Sequence, residues 1–219
     1  MPVHLRRSRG RPSGPEASPA LTRRRILDAA LAVFGERGYH GAAVDDIATR
    51  AEASKGTFYF HFPNKQAIFM ALADDAARRV AEAIERSVAD RPDPLARADA
   101  ALRSVLELFA RHRTLAHLLL VDLVNLGGGF GAKLVEIHQH FATLIQRHLD
   151  QAVADGAIDP IDTELAAYVW LGAVNEIVVR WLHTGRPDPL ESAVPTLRSL
   201  MLRSLGAPAT ETAVPTSRS

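Results

Sequence analysis

A segment of twelve residues, from Ser54 to Lys65, carries the side chains best suited to chemistry in this chain. It alternates hydroxyl, aromatic, imidazole and ammonium groups, which can donate hydrogen bonds to the edges of DNA bases and to phosphate oxygens. Its polar members are Ser54, Lys55, Thr57, Tyr59, His61 and Lys65. A helix of this length is not stable alone, so neighbouring residues must hold it in place.

Two helices are predicted immediately before this segment. Residues 22–37 place apolar side chains at helical spacing, and Gly38 is typical of the position just after a helix. Residues 44–51 form a second, shorter helix, and a sharp turn at Glu52 leads into the polar segment. This is the layout of a helix-turn-helix, whose second helix enters the major groove of DNA.

Residues 26–69 resemble the DNA-binding domain of the TetR (tetracycline-repressor) family of bacterial regulators. The matching residues, in fixed register, are Ala30, Phe34, Gly38 and Tyr39; Ile47, Ala48 and Ala51; Ser54 through Tyr59; His61 and Phe62; and Asn64 and Lys65. The rest of the chain resembles the family in length and in its helical pattern.

The resemblance implies a role for each polar side chain of the segment. The residues implied at the major groove are Thr57 and Tyr59, with Lys55 at the start of the helix. The residues implied at phosphates are Ser54, His61 and Lys65. Phe58 and Phe62 are expected in the core of the domain.

Two positions depart from the family pattern. Ala43 stands where a Ser or Thr usually caps the second helix. The absence of this side-chain cap costs about 1 kcal/mol of helix stability. Asp45 and Asp46 in the first turn offset part of this cost through the helix dipole. Glu52 stands at a turn position that is usually Gly, where a left-handed conformation costs another residue about 1–2 kcal/mol.

The first 20 residues contain four prolines and four arginines, which predicts a disordered basic arm. Arg9 and Arg11, in the sequence Arg-Gly-Arg-Pro, resemble the core of an AT-hook that reads an A·T-rich minor groove. A solvated arginine tail with only non-specific attraction is the alternative. Residues 1–65 hold 11 Lys and Arg against 6 Asp and Glu, whereas residues 66–219 hold 15 against 19. A basic N-terminal module fits a nucleic-acid partner at that end.

The remaining sequence predicts helices and shows no alternation of period two, so the fold class is all-α with about nine helices. The predicted domains are an arm (1–20), a helix-turn-helix domain (21–66), a helical ligand-binding and dimerisation domain (67–205) and a disordered tail (206–219). The later helices are predicted at residues 65–88, 95–111, 115–125, 133–154, 162–184 and 189–205. Pro195 should kink the last helix unless that helix starts near Ser192.

The helix predicted at residues 162–184 is apolar around nearly its whole circumference, which is typical of a helix buried on all sides. Together with the last helix it is expected to form a homodimer, with Val178 and Leu197 among the outward apolar positions. The resemblance implies the same four-helix interface. The alternative is that both helices complete a monomeric core.

A ligand pocket is expected inside the helical domain. Its predicted apolar walls and polar anchors are Phe109, Leu118, Leu119, His138, Phe141, Ile145, Tyr168, Trp170 and Asn175. A hydrophobic or amphipathic effector would suit these walls, such as an acyl-CoA or a lipophilic drug. For Asn175, a helix across the dimer is the favoured partner, and a ligand is the alternative.

The sequence therefore predicts a cytoplasmic, ligand-responsive transcriptional regulator, a repressor that binds a palindromic operator as a dimer. The alternative is a constitutive or architectural DNA-binding protein without a ligand. No enzyme activity, metal site, cofactor or membrane contact is expected. The chain has no cysteine, and His138 and His140 point to different faces of their helix.

Overall fold

The computed structural model describes residues 18–205, so residues 1–17 of the predicted arm, with Arg9 and Arg11, and the tail lie outside the described residues. The end of the predicted arm is wrong, because the first helix already begins at Pro19, a residue type that suits the first turn of a helix. Within residues 18–205 the chain folds into nine helices and has no strand, as predicted. The first three helices are α1 (Pro19–Gly41), α2 (Val44–Arg50) and α3 (Lys55–His61).

Six further helices complete the chain. They are α4 (Lys65–Val88), α5 (Pro94–Arg111), α6 (residues 113–125), α7 (Phe130–Ala154), α8 (Thr163–Thr184) and α9 (Val194–Ser204). Side-chain caps begin three of them, because Asn64, Asp93 and Asp162 each accept a hydrogen bond from the backbone N–H three residues on.

Local conformations in the helix-turn-helix follow the predictions. Gly38 has a positive φ of 67°, which interrupts α1 one turn before its end. Ala43 makes no side-chain cap for α2. Glu52 takes the left-handed conformation, with φ 49°. Arg25 holds this turn, because its guanidinium donates to the carbonyl of Ala51 (2.6 Å) and to the Glu52 carboxylate (3.2 Å).

Three boundaries differ from the prediction. Helix α6 starts at Arg113 and contains a π-helical turn, Leu118–Asp122, between the α-helical segments Arg113–His117 and Leu123–Asn125. Helix α7 starts at Phe130, so the flexible joint is shorter than expected. Helix α9 starts at Val194 instead of residue 189, after a 3₁₀ turn at Leu190–Ala193. This start is close to Ser192, the alternative given above, so Pro195 lies in the first turn and does not kink the helix.

One continuous core joins the two domains. Helix α4 packs against α1, α5, α6 and α7, and α8 packs against α6 and α7. The ring of Tyr39 stacks on Phe34 and meets the edges of Phe69 and Phe130, at centroid distances of 5.2–5.8 Å. Helices α1, α4 and α7 are therefore fixed to one another by aromatic packing.

Helices α1 and α6 approach closely at Gly35. A Cβ at this position would lie 2.6 Å from the Cγ2 atom of Thr114. Glycine is therefore the residue that allows this contact between the DNA-binding domain and the helical domain.

Candidate DNA-binding surface and ligand cavities

Helix α3 begins at Ser54, whose hydroxyl accepts a hydrogen bond from the backbone N–H of Thr57 at 3.0 Å. The two hydroxyl oxygens, Oγ of Ser54 and Oγ1 of Thr57, lie 2.8 Å apart. The cap stabilises a helix of only seven residues, so Ser54 has a structural role in addition to the predicted phosphate contact.

The two faces of α3 differ sharply. Phe58 is fully buried and packs in the core of the domain, as expected. Tyr59 is 52% exposed and Phe60 is 80% exposed, so both present their rings to solvent. Phe60 is absent from the predicted contacts. The spacing of the inward residues Phe58 and Phe62 already places it on the outer face.

The two predicted lysines are held differently. Lys55 is exposed, and its ammonium lies 2.7 Å from the Asp45 carboxylate, which raises the pKa of Lys55 through a hydrogen bond and charge attraction. The ammonium of Lys65 instead donates to the carbonyl oxygens of Tyr39 (2.7 Å) and Ala42 (3.0 Å). It also lies 4.5 Å from the centre of the Tyr39 ring. Lys65 therefore closes the C-terminal end of α1 in this structure.

A cavity of about 90 Å³, here called the proximal cavity, lies in the helical domain beside α6. Six of the nine predicted pocket residues line it: Phe109, Leu119, His138, Phe141, Ile145 and Asn175. His138 is half-buried, and desolvation lowers its pKa, which favours the neutral ring. The cavity is thus apolar with an imidazole and an amide as polar groups.

The structure does not bring the other three predicted residues to this cavity. Leu118 lies on the opposite side of the π-helical turn, in a groove that Phe34 and Gly35 of α1 also line. Trp170 lines a second cavity together with Ile145. Tyr168 is 42% exposed on the outer face of α8 and lines neither cavity.

The second cavity, here called the distal cavity, has a volume of about 120 Å³ and lies farther along α4 from the DNA-binding domain. Its walls are almost entirely apolar, and Arg97 and His148 supply its charged and polar groups. Four residues line both cavities: Ile84, Val105, Ile145 and Val174, here called the neck. The sequence pattern gives no signal for this cavity, because its walls come from five helices.

The outer face of α8 carries a stripe of exposed residues, here called the α8 stripe: Leu165, Tyr168, Val169 and Gly172. Val178 and Leu197, predicted to point outward, are instead buried at 0% and 5% exposure, because they face the other helices of the same chain. Helix α8 is long and apolar enough to cross a membrane, but the core helices of soluble proteins often have the same length and composition. Only 22% of its most apolar stretch is buried within the chain, which leaves apolar surface for another contact.

These features define a helix-turn-helix regulator with a helical C-terminal domain. Residues 26–72 match the sequence model of "Bacterial regulatory proteins, tetR family". Residues 91–203, more than half of the chain, match "Tetracyclin repressor-like, C-terminal domain". The chain belongs to the TetR family of transcriptional regulators.

The sequence similarity to known regulators covers most of the chain. It is 30% identical over 202 residues to the HTH-type transcriptional repressor BepR of Brucella suis, covering 89% of this chain and 96% of the relative. It is 26% identical over 158 residues to the fatty acid metabolism regulator protein of Bacillus subtilis, covering 72% and 81%. The fold is similar to the crystal structure of FadR from Bacillus subtilis in complex with stearoyl-CoA, with a TM-score of 0.75, 23% identity and coverage of 81% and 96%.

Proposed function

We propose that this protein is a homodimeric repressor that acts in the cytoplasm and leaves its operator when an amphipathic molecule with a long hydrocarbon chain binds in the helical domain. The observation that carries the proposal is the position of α4. Ile68 and Phe69 of this helix belong to the core near the DNA-binding domain, whereas Val80 and Ile84 line the proximal cavity. One helix therefore contacts both sites.

On the DNA side, α3 enters the major groove. Thr57, Tyr59 and Phe60 contact base edges, and Phe60 offers an apolar ring to thymine methyl groups. Ser54, Lys55 and His61 contact phosphates or the adjacent groove edge. Arg9 and Arg11 of the N-terminal arm add minor-groove or non-specific contacts.

The dimer forms through α8 and α9, with the α8 stripe at its centre. Apart from the adjacent backbone of α8 itself, no atom of the described residues lies within 4 Å of the place of a Cβ at Gly172, so a second backbone can approach there. Leu200 of α9, 62% exposed, extends the apolar surface. In a two-fold interface each apolar residue is covered by the partner, and the two copies of α3 reach successive major grooves about 34–36 Å apart.

The effector binds in the apolar cavities, which a dry hydrocarbon chain fills better than water does. The names of the fatty acid metabolism regulator and of the stearoyl-CoA complex support an acyl chain as the effector class. Helix α6 offers the route to the DNA-binding domain. Leu119 and Leu120 face the cavity, whereas Leu118 and Thr114 face α1.

An operator-binding experiment tests the proposal. The palindromic DNA beside the gene is labelled, and its binding by the full chain is followed by fluorescence anisotropy with and without palmitoyl-CoA, palmitate or lipophilic drugs. We expect one of these compounds to weaken operator binding. The operator should weaken binding of that compound by the same factor, because the coupling free energy is reciprocal and typically about 1–3 kcal/mol. Operator binding that no compound changes would favour the architectural alternative.

A further inference from the structure

The distal cavity is lined by one buried polar atom without a hydrogen-bond partner and by one arginine without a carboxylate partner, among the residues that the structure describes. Nε2 of His148 is buried and has no hydrogen-bond partner among residues 18–205. Buried polar atoms are nearly always paired, so an unpaired one calls for an explanation. Arg97 lines the same cavity, and within the described part of the chain no carboxylate forms an ion pair with it.

Arg97 lies close enough to His148 for its charge to influence the pKa of the imidazole. The pKa of His148 is lowered mainly by desolvation, and the charges of Arg147 and Arg97 lower it further, while Glu85 opposes them. Arg147 is engaged by Glu85, whereas Nε of Arg97 donates to the carbonyl of Arg91 at 2.5 Å. An anion at this point would meet a guanidinium and an imidazole N–H together.

The apolar space continues from this point toward α6. The distal and proximal cavities share the four neck residues, so the two cavities are neighbours with a common wall. Beyond the neck, the proximal cavity ends at Leu119 and Leu120 of the π-helical turn. The other side of that turn faces α1 through Leu118.

We propose that the two cavities form a single site for an unbranched hydrocarbon chain with an anionic head group, whose head binds Arg97 and His148 and whose tail passes the neck. Only a tail long enough to pass the neck reaches the π-helical turn, so the site measures chain length. Short chains bind in the distal cavity but do not release DNA. This inference rests on the proposed function for its release step, whereas the binding geometry stands independently.

The head-group site is tested by calorimetric binding of palmitate and of uncharged hexadecanol to the full chain. Arg97→Gln should weaken palmitate binding by about tenfold or more, since a charge-assisted pair is lost, and should leave hexadecanol binding nearly unchanged. Arg103→Gln is the matched control, because this arginine lies on the same helix, lines neither cavity and is exposed. Equal losses for palmitate and hexadecanol would overturn the assignment, and so would the absence of any loss for both palmitate and palmitoyl-CoA.

A comparison of palmitate with palmitoyl-CoA shows whether Arg97 binds a carboxylate or the phosphates of coenzyme A. If Arg97 binds a carboxylate, palmitate depends on Arg97 and palmitoyl-CoA does not. If it binds the phosphates of coenzyme A, the dependence is reversed. Both outcomes support an anionic site, whereas independence of both ligands from Arg97 contradicts it.

The neck is tested by comparing octanoate with palmitate. Leu171→Phe, at a residue that lines the proximal cavity but not the distal one, should block the space beyond the neck. It should leave octanoate binding within about twofold and weaken palmitate binding by about tenfold, and a melting curve checks that the variant folds. In the unmodified protein, palmitate should release the operator and octanoate should not, even at saturation. Release by octanoate would overturn chain-length sensing while sparing the proposed function. If palmitate binding depends on Arg97 but no ligand releases the operator, the proposed function is wrong and the proposed binding site still holds.

Discussion

Lys65 shows how the position of one side chain can change the expected effect of a substitution. Its ammonium binds the carbonyl oxygens that end α1, so Lys65→Ala should lower the free energy of unfolding by about 1.5–3 kcal/mol. Thermal or denaturant unfolding measures this change. Lys55→Ala is the control, because its ammonium is exposed and pairs with the exposed carboxylate of Asp45, and it should have little effect on stability.

The salt dependence of operator binding distinguishes the two roles of Lys65. A phosphate contact removed by Lys65→Ala would reduce the slope of log K against log salt by about one unit. An unchanged stability together with such a reduction would contradict the structural role. The family resemblance implies a phosphate contact for Lys65. The sequence gives no local signal for the structural role, because the carbonyl partners lie more than twenty residues earlier.

Phe58 and Phe60 are a matched pair on α3. Phe60→Ala should leave stability almost unchanged, because the ring is 80% exposed, and should weaken operator binding and alter base preference. Phe58→Ala should cost about 3–5 kcal/mol of stability, because this ring is fully buried. Melting curves and binding to a set of single-base operator variants give both readouts. If Phe60→Ala bound every variant as the unmodified protein does, a base-contact role would be excluded.

At the scale of elements, the contact between α1 and α6 depends on the absence of a side chain at position 35. Gly35→Ala should lose about 1–3 kcal/mol of stability through overpacking, because its Cβ would lie 2.6 Å from Cγ2 of Thr114. Thr114→Ser removes that methyl group and should restore much of the loss in the double variant. Unfolding measurements of the four proteins in the cycle give the coupling energy. Additive losses would show that the two helices do not meet there.

The α8 stripe gives a second prediction for an element. Val169→Asp should produce folded monomers, because Val169 is exposed in the isolated chain and is expected to be covered twice in a two-fold dimer. Light scattering should then give a mass near 23.8 kDa. Val178→Asp is the contrast, since it should unfold the chain rather than only separate protomers. A mass near 23.8 kDa for the unmodified protein would contradict the dimer.

The helices themselves follow well from the sequence, and the direction in which each residue faces follows less well. The apolar periodicity of α1, α4 and α5 predicts their inner faces, because one side of each is polar. Helix α8 is apolar on nearly every side, so its sequence does not say whether Val178 or Val169 faces the chain's own core. The packing of α6 and α7 against α8 decides this, and no local pattern reports it.

At the scale of the whole molecule, the N-terminal part of the chain is basic and residues 66–219 are acidic. Deleting residues 1–17 removes four arginines, so operator binding should weaken and become less dependent on salt while the half-site preference persists. Changing Arg9 and Arg11 to Ala is compared with changing Arg6 and Arg7, which removes equal charge. A larger effect of the first pair on A·T-rich flanks would favour minor-groove binding, and equal effects would favour a non-specific tail.

The two-domain, all-α plan is predictable from the whole sequence, and the cavities are predictable only in part. Phe109, Leu119 and Phe141 were expected near a ligand because each lies on an inward stripe, and they line the proximal cavity. The distal cavity is a gap between side chains of helices that lie far apart in sequence, so no local pattern predicts it. Arg97 and His148 consequently have no pattern that marks them before the fold is known.

Helix α4 has a consequence that follows from its dimensions. Its 24 residues make a rod of about 36 Å, from the DNA-binding domain to the distal cavity. A tilt of about 3° at the cavity end would move the other end by about 2 Å. In a two-fold dimer the displacements oppose each other, so the recognition helices would separate by up to about 4 Å against a groove repeat of about 34–36 Å. A ligand that tilts α4 by about 3° would therefore displace both recognition helices from their positions in successive major grooves.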